Sequence, residues 1–120
     1  VADTAIAGRY GEALVSLRHA IASGADPVPL VAAIASKLRT MARVYGVRES
    51  SSALAARLGL KDWQVDRARR DLAGWDEAAL QIAVQAAARA DAEVKGASRD
   101  AVFAVERLVT VIATRAPFGD

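Results

Sequence analysis

Apolar positions recur along this chain at spacings of three and four, and no stretch alternates convincingly in twos. That period belongs to helices with one buried face. The clearest run is Val31, Ile34, Leu38, Met41 and Tyr45. Asp26 stands before it as an N-cap, Pro27 fits the first helical position, and Gly46 ends it. Upstream, Leu14, Leu17 and Ile21 give an apolar face to a helix from about Tyr10 to Ser23, with Gly24 where a left-handed C-cap is wanted. Val1 to Ala7 reads as a short lead helix stopped at Gly8.

The second half follows the same grammar. Ser50, Ser51 and Ser52 offer N-caps for a short helix through Arg57, and Gly59 makes a turn. Asp62 is read as the cap of the next helix, whose buried face is expected to be Val65, Ala68, Leu72 and Trp75, with Gly74 near its end. Asp76 and Glu77 bring negative charge to the start of a long helix reaching about Lys95, where it complements the helix dipole. Gly96 stops it. Ser98 is read as the cap of a last helix, with Val102, Val105, Val109 and Ile112 inward, until Pro117. The expected fold is all-α, a compact bundle of about six or seven helices on short connections, with a helix-turn-helix-like pair in the middle.

Composition sharpens this picture. Roughly a quarter of the 120 residues are alanine, far above ordinary usage. Alanine loses no side-chain entropy in a helix and lets helices approach closely. Lys+Arg number 16 against 14 Asp+Glu, a net charge of +2. The pI of 9.4 overstates that excess, because one histidine and no cysteine leave almost nothing to titrate near neutrality. The absence of cysteine excludes disulfides and thiolate chemistry and suits a cytoplasmic setting. No apolar run approaches the ~20 residues of a membrane span. Val1-Ala2-Asp3-Thr4 has neither an initiator Met nor a signal pattern. The expectation is one helical domain over 1–120 that forms the C-terminal part of a longer chain.

Catalytic chemistry is sparse. No Gly-rich loop ends in Lys-Ser or Lys-Thr, so no phosphate cradle of the Walker type is present. His19 lies on a helix with no acidic or cysteine partner nearby in sequence, which argues against a metal. The serines cluster at helix starts, and no carboxylate pair stands out for acid–base work. No catalytic residue, metal or cofactor is expected.

Two features have competing readings. Leu54-Ala55, Leu58-Gly59-Leu60, Val65 and Ala68 have the spacing of a helix-turn-helix. Arg57, Lys61, Arg67 and Arg70, together with Arg69, would supply positive charge for DNA or a partner. Against DNA stand Asp62, Asp66 and Asp71 on or beside the same helix, and Trp63 where a polar reader is expected. A tight turn that buries Trp63 or Trp75 explains the pattern without DNA. The second feature is Asp91, on a stripe with Leu80, Val84, Ala87 and Val94. It is either a local ion pair with Lys95, four residues on, or a polar contact to the last helix or a neighbouring subunit.

The pieces in order also resemble a known family. They are Tyr10-Gly11-Glu12-Ala13-Leu14, Gly24-Ala25-Asp26-Pro27 with Leu30-Val31, and Lys37-Leu38-Arg39. Then come Ala55-Ala56-Arg57-Leu58-Gly59-Leu60 with Trp63-Gln64-Val65, Leu80, Asp91 with Lys95-Gly96, and Val105-Glu106-Arg107-Leu108. Over nearly the whole chain this resembles the C-terminal collar domain of the delta subunit of bacterial DNA polymerase III. The resemblance implies a part of the clamp loader, the assembly that opens the sliding clamp and places it on primed DNA. It implies a non-catalytic role within a DNA-directed DNA polymerase III holoenzyme, since the loader's motor subunits hydrolyse ATP. It implies partners among the other loader subunits through the collar, DNA held by the whole assembly, and a clamp contact in an N-terminal part outside this chain. A ring of similar domains needs a different patch on each side, and Arg39, Arg43, Arg57 and Arg107 are candidate rim residues.

Overall fold

The computed structural model describes residues 1–96 and 100–117. Among them run seven α-helices and no strand: α1 (Ala2–Ile6), α2 (Tyr10–Ala22), α3 (Pro27–Val44), α4 (Ser51–Leu58), α5 (Asp62–Asp71), α6 (Glu77–Lys95) and α7 (Ala101–Thr114). The all-α expectation and the number of helices hold.

Helix α3 is central. Asp26 accepts from the Val28 N–H at 2.9 Å, Pro27 presets the first turn, and Val31, Ile34, Ala35, Leu38, Met41 and Val44 are buried. It packs most extensively against α6 and also meets α5, α7 and α1. The α6 face is mainly alanine, with Ala79, Ala83, Ala87 and Ala90 buried beside Leu80 and Val94. Small side chains there let α3 and α7 come close on either side. Asp76 caps α6 by accepting from the Ala79 N–H at 2.7 Å. Helix α7 adds Val105, Leu108, Val109 and Ile112, and these helices share one apolar core with Leu54 of α4 and Val65 of α5.

Several local readings need correction. Lys61, not Asp62, is the N-cap of α5; Asp62 is its first residue, and the Gln64 amide oxygen accepts from the Lys61 N–H at 2.9 Å. Helix α5 stops at Asp71, so Leu72 and Trp75 fall beyond it in the connection to α6. Leu72 is half-buried and Trp75 buried there. Val102, expected to face inward, is half-buried. Ser98 lies outside the described residues; Asp100 caps α7, accepting from the Phe103 N–H at 2.8 Å. A carboxylate directly before the first turn is the stronger acceptor.

Candidate functional site

The pair α4–α5 is built locally and then locked. Ser50 accepts from the Ala53 N–H at 3.1 Å to start α4. Gly59 closes it in the left-handed region at φ +71, where a Cβ would be strained. The lock is Arg69. Its guanidinium donates to Ser51 Oγ at 2.9 Å, to the Val47 carbonyl at 3.2 Å and to the Glu49 carbonyl at 2.6 Å. Ser51 Oγ also donates to Asp66. One arginine of α5 therefore fastens the α3–α4 connection and the start of α4.

The other cations singled out by sequence do not converge. Arg57 pairs with Glu49. Arg67 reaches Asp3 at 2.9 Å and Asp71 at 3.5 Å, and the charge of Asp3, then of Asp71, raises its pKa. Lys61 and Arg70 are exposed, and neither side chain has a hydrogen bond or ion pair among the described residues. They stand nine positions apart, about 13 Å along the helix axis. Asp62 and Asp66 are exposed on the same element. Such a surface has few uncompensated cations for phosphate. Trp63, in contrast, lies open at 64% exposure while Trp75 is 7% exposed, so the turn buries the second tryptophan and not the first. Lys95 Nζ lies 3.0 Å from Asp91, whose side chain is about one-third exposed.

Of the candidate rim arginines, Arg43 donates to the Leu58 carbonyl at 3.3 Å and so closes α4. Arg107 pairs with Glu93 and lies 5.6 Å from the centre of the Phe103 ring. Arg39 is exposed. The hydrogen bond from Arg107, aided by its charge and that of Arg89, holds the Glu93 carboxyl below its ordinary range. Asp3 is likewise lowered, first by its 2.8 Å hydrogen bond from Lys37 and also by Arg67. Sequence reading found neither cluster, because their members lie on different helices.

Several open grooves lie on the surface, among them one of about 580 Å³ beside Tyr45, Leu80 and Val84 and one of about 510 Å³ beside Thr4 and Val15; two others carry candidate residues. One, of about 330 Å³, runs between α3 and α5 and is lined by Ala33, Ser36, Thr40, Trp63 and Arg67. The other, of about 300 Å³, runs between α6 and α7 and is lined by Ile82, Ala86, Arg89, Arg107, Leu108 and Val111. Both are at the small end of ligand sites, the size of a few side chains. Among the described residues no three His, Asp or Glu side chains gather to hold a metal, and no helix is long and apolar enough to cross a membrane.

The architecture defines an all-α helical bundle whose open features are grooves and an exposed aromatic. The sequence model of the family described as DNA polymerase III delta subunit, C-terminal domain, matches residues 1–112, and the chain belongs to that family. Searches of curated proteins and of solved structures gave no match.

Proposed function

We propose that this chain is a non-catalytic collar domain of a bacterial clamp loader, a cytoplasmic assembly module that holds the delta subunit against its neighbours. The family match over residues 1–112 carries this reading. Two unlike grooves among those on the domain's surface support it, since a heterologous ring needs two unlike faces on each member. Trp63 gives one groove an exposed aromatic anchor, and Arg89 and Arg107, both paired with Glu93, line the other. Aromatic and arginine side chains are the residue types that dominate protein interfaces. On this reading the domain joins the other loader subunits, the whole assembly engages DNA, and the clamp contact lies in another part of the delta subunit.

A second reading, a helix-turn-helix DNA-binding domain, has one observation in its favour: the α5 face that carries Trp63 is open. Its charge opposes it, because Arg57 and Arg67 are paired and Arg69 is spent on carbonyls. One experiment separates the two. The chain is mixed with the remaining loader subunits, and separately titrated with duplex DNA at low and moderate salt. The collar reading expects capture of a loader subunit, weakened at least tenfold by Trp63→Ala or by Arg89→Ala. Tight, salt-sensitive duplex binding lost on Arg67→Ala and Arg70→Ala, with no subunit captured, would overturn it.

A further inference from the structure

Helix α1 has five residues, too few to hold a helix by themselves. Ala5 and Ile6 are buried, and the carbonyls at its C-terminal end are unusually well occupied. The Ile6 carbonyl accepts from the Trp75 indole N–H at 3.1 Å and from Arg115 Nη2. The Ala5 carbonyl accepts from Arg115 Nη1 at 3.2 Å. The same Nη1 donates to the Ile112 carbonyl in the last turn of α7 at 2.7 Å. The guanidinium lies 3.9 Å over the Trp75 ring. One side chain thus ties α1, the α5–α6 connection and the end of α7 together.

The clasp is held against two opposing forces. Arg115 has φ +59, the one non-glycine residue among those described in the left-handed region, and its own Cβ disfavours that conformation. Burial also pushes its pKa down, and no carboxylate among the described residues pairs with it. Neutral carbonyls and an aromatic face compensate the charge. The Ala5 and Ile6 carbonyls are lost to Arg115 together if α1 leaves, while the Ile112 carbonyl and the Trp75 ring stay, and the guanidinium then regains water. Such an arrangement favours two discrete states over gradual fraying.

We infer that α1 is a strap that opens and closes as a unit, with Arg115 as its clasp. Opening uncovers Trp75 and an apolar seam beside α7 while the α3–α6–α7 core stays packed. The inference does not depend on the collar reading.

The test is native-state hydrogen exchange on the 120-residue chain with and without low urea. In the unmodified protein, the amides of Ala5, Ala7, Gly8 and Arg9 should exchange at least tenfold faster than those of α3 and α6, with a weaker urea dependence. Equal rates and equal urea dependence in the two groups would overturn the strap. Arg115→Ala should speed α1 exchange by a further tenfold or more, which is about 1.4 kcal/mol. Arg115→Lys should act nearly as strongly, because an ammonium cannot lie flat on the ring while bonding both carbonyls. Unchanged α1 exchange in both variants would remove Arg115 as the clasp. In a Trp63→Phe background, Trp75 emission should shift to the red on Arg115→Lys; an unmoved spectrum counts against the inference.

Discussion

Replacing Arg69 by alanine should cost far more than replacing Arg70, although the two are adjacent and chemically identical. Arg69 donates three hydrogen bonds, to Ser51 Oγ and to the Val47 and Glu49 carbonyls. Arg70 is exposed and has no such bond. Hydrogen bonds from a charged donor contribute about 1.5–3 kcal/mol each when their acceptors are stranded dry. Here Glu49 is exposed and Ser51 and Val47 only half-buried, so water can replace much of what Arg69 supplies. Less than 1 kcal/mol per bond is appropriate, or about 2 kcal/mol in all. For a chain of this size that lowers Tm by roughly 6–10 °C. Arg70→Ala, on an open surface, should stay within about 0.5 kcal/mol. Urea denaturation followed by helical circular dichroism measures both. If the two variants differ by less than about 0.5 kcal/mol, Arg69 is not a staple and the account of how α4 and α5 are locked is wrong.

Two further predictions concern the backbone and pH. Gly59→Ala should cost about 1–2 kcal/mol from the left-handed conformation alone, since nothing lies within 4 Å of the added Cβ; unaltered stability in the same urea assay would contradict the turn. The carboxyls of Asp3 and Glu93 are lowered by their cations, so the folded state binds fewer protons than the unfolded chain in acid. Their contribution is fully present above the unfolded carboxyl pKa of about 4 and is lost as pH falls through the folded values. Stability should therefore be flat from pH 7 to about 5 and decline below it, less steeply in Asp3→Asn; an Asp3→Asn profile that superimposes on the unmodified one would refute the role of Asp3.

The sequence by itself determined the helices and most of their ends, because those are local properties. Val31, Ile34, Leu38 and Met41 sit one helical turn apart and must share a face, whatever that face meets. Asp26, Ser50 and Gly59 act on backbone within four residues of themselves, so a cap at Asp26, a serine cap before α4 and a turn at Gly59 are visible without a fold; Asp76, expected only to bring charge to the start of α6, also caps it. Where local signals compete, the expected ends miss by one to four residues: Asp62 beside Lys61, and Trp75 on a helix that ends at Asp71. The order of short motifs also pointed to the family, because order and spacing are carried by sequence alone.

The tertiary structure alone decided what covers the buried tryptophan and which arginines are engaged. Trp75 continues the stripe of Val65, Ala68 and Leu72 and is expected inward, but only the fold shows that α1 presents a carbonyl to its indole N–H and that Trp63 stays open. Arg69 and Arg70 differ by one position, about 100° around a helix, and that rotation brings only one of them over the α3–α4 connection. Arg115 reaches Ala5 across 110 positions of chain, Arg107 meets Glu93 from another helix, and Asp3 joins Lys37 and Arg67. Periodicity fixes the direction in which a side chain leaves its own helix. It contains no information about which other helix is waiting there, and in this protein that meeting separates a solvated arginine from a clasp.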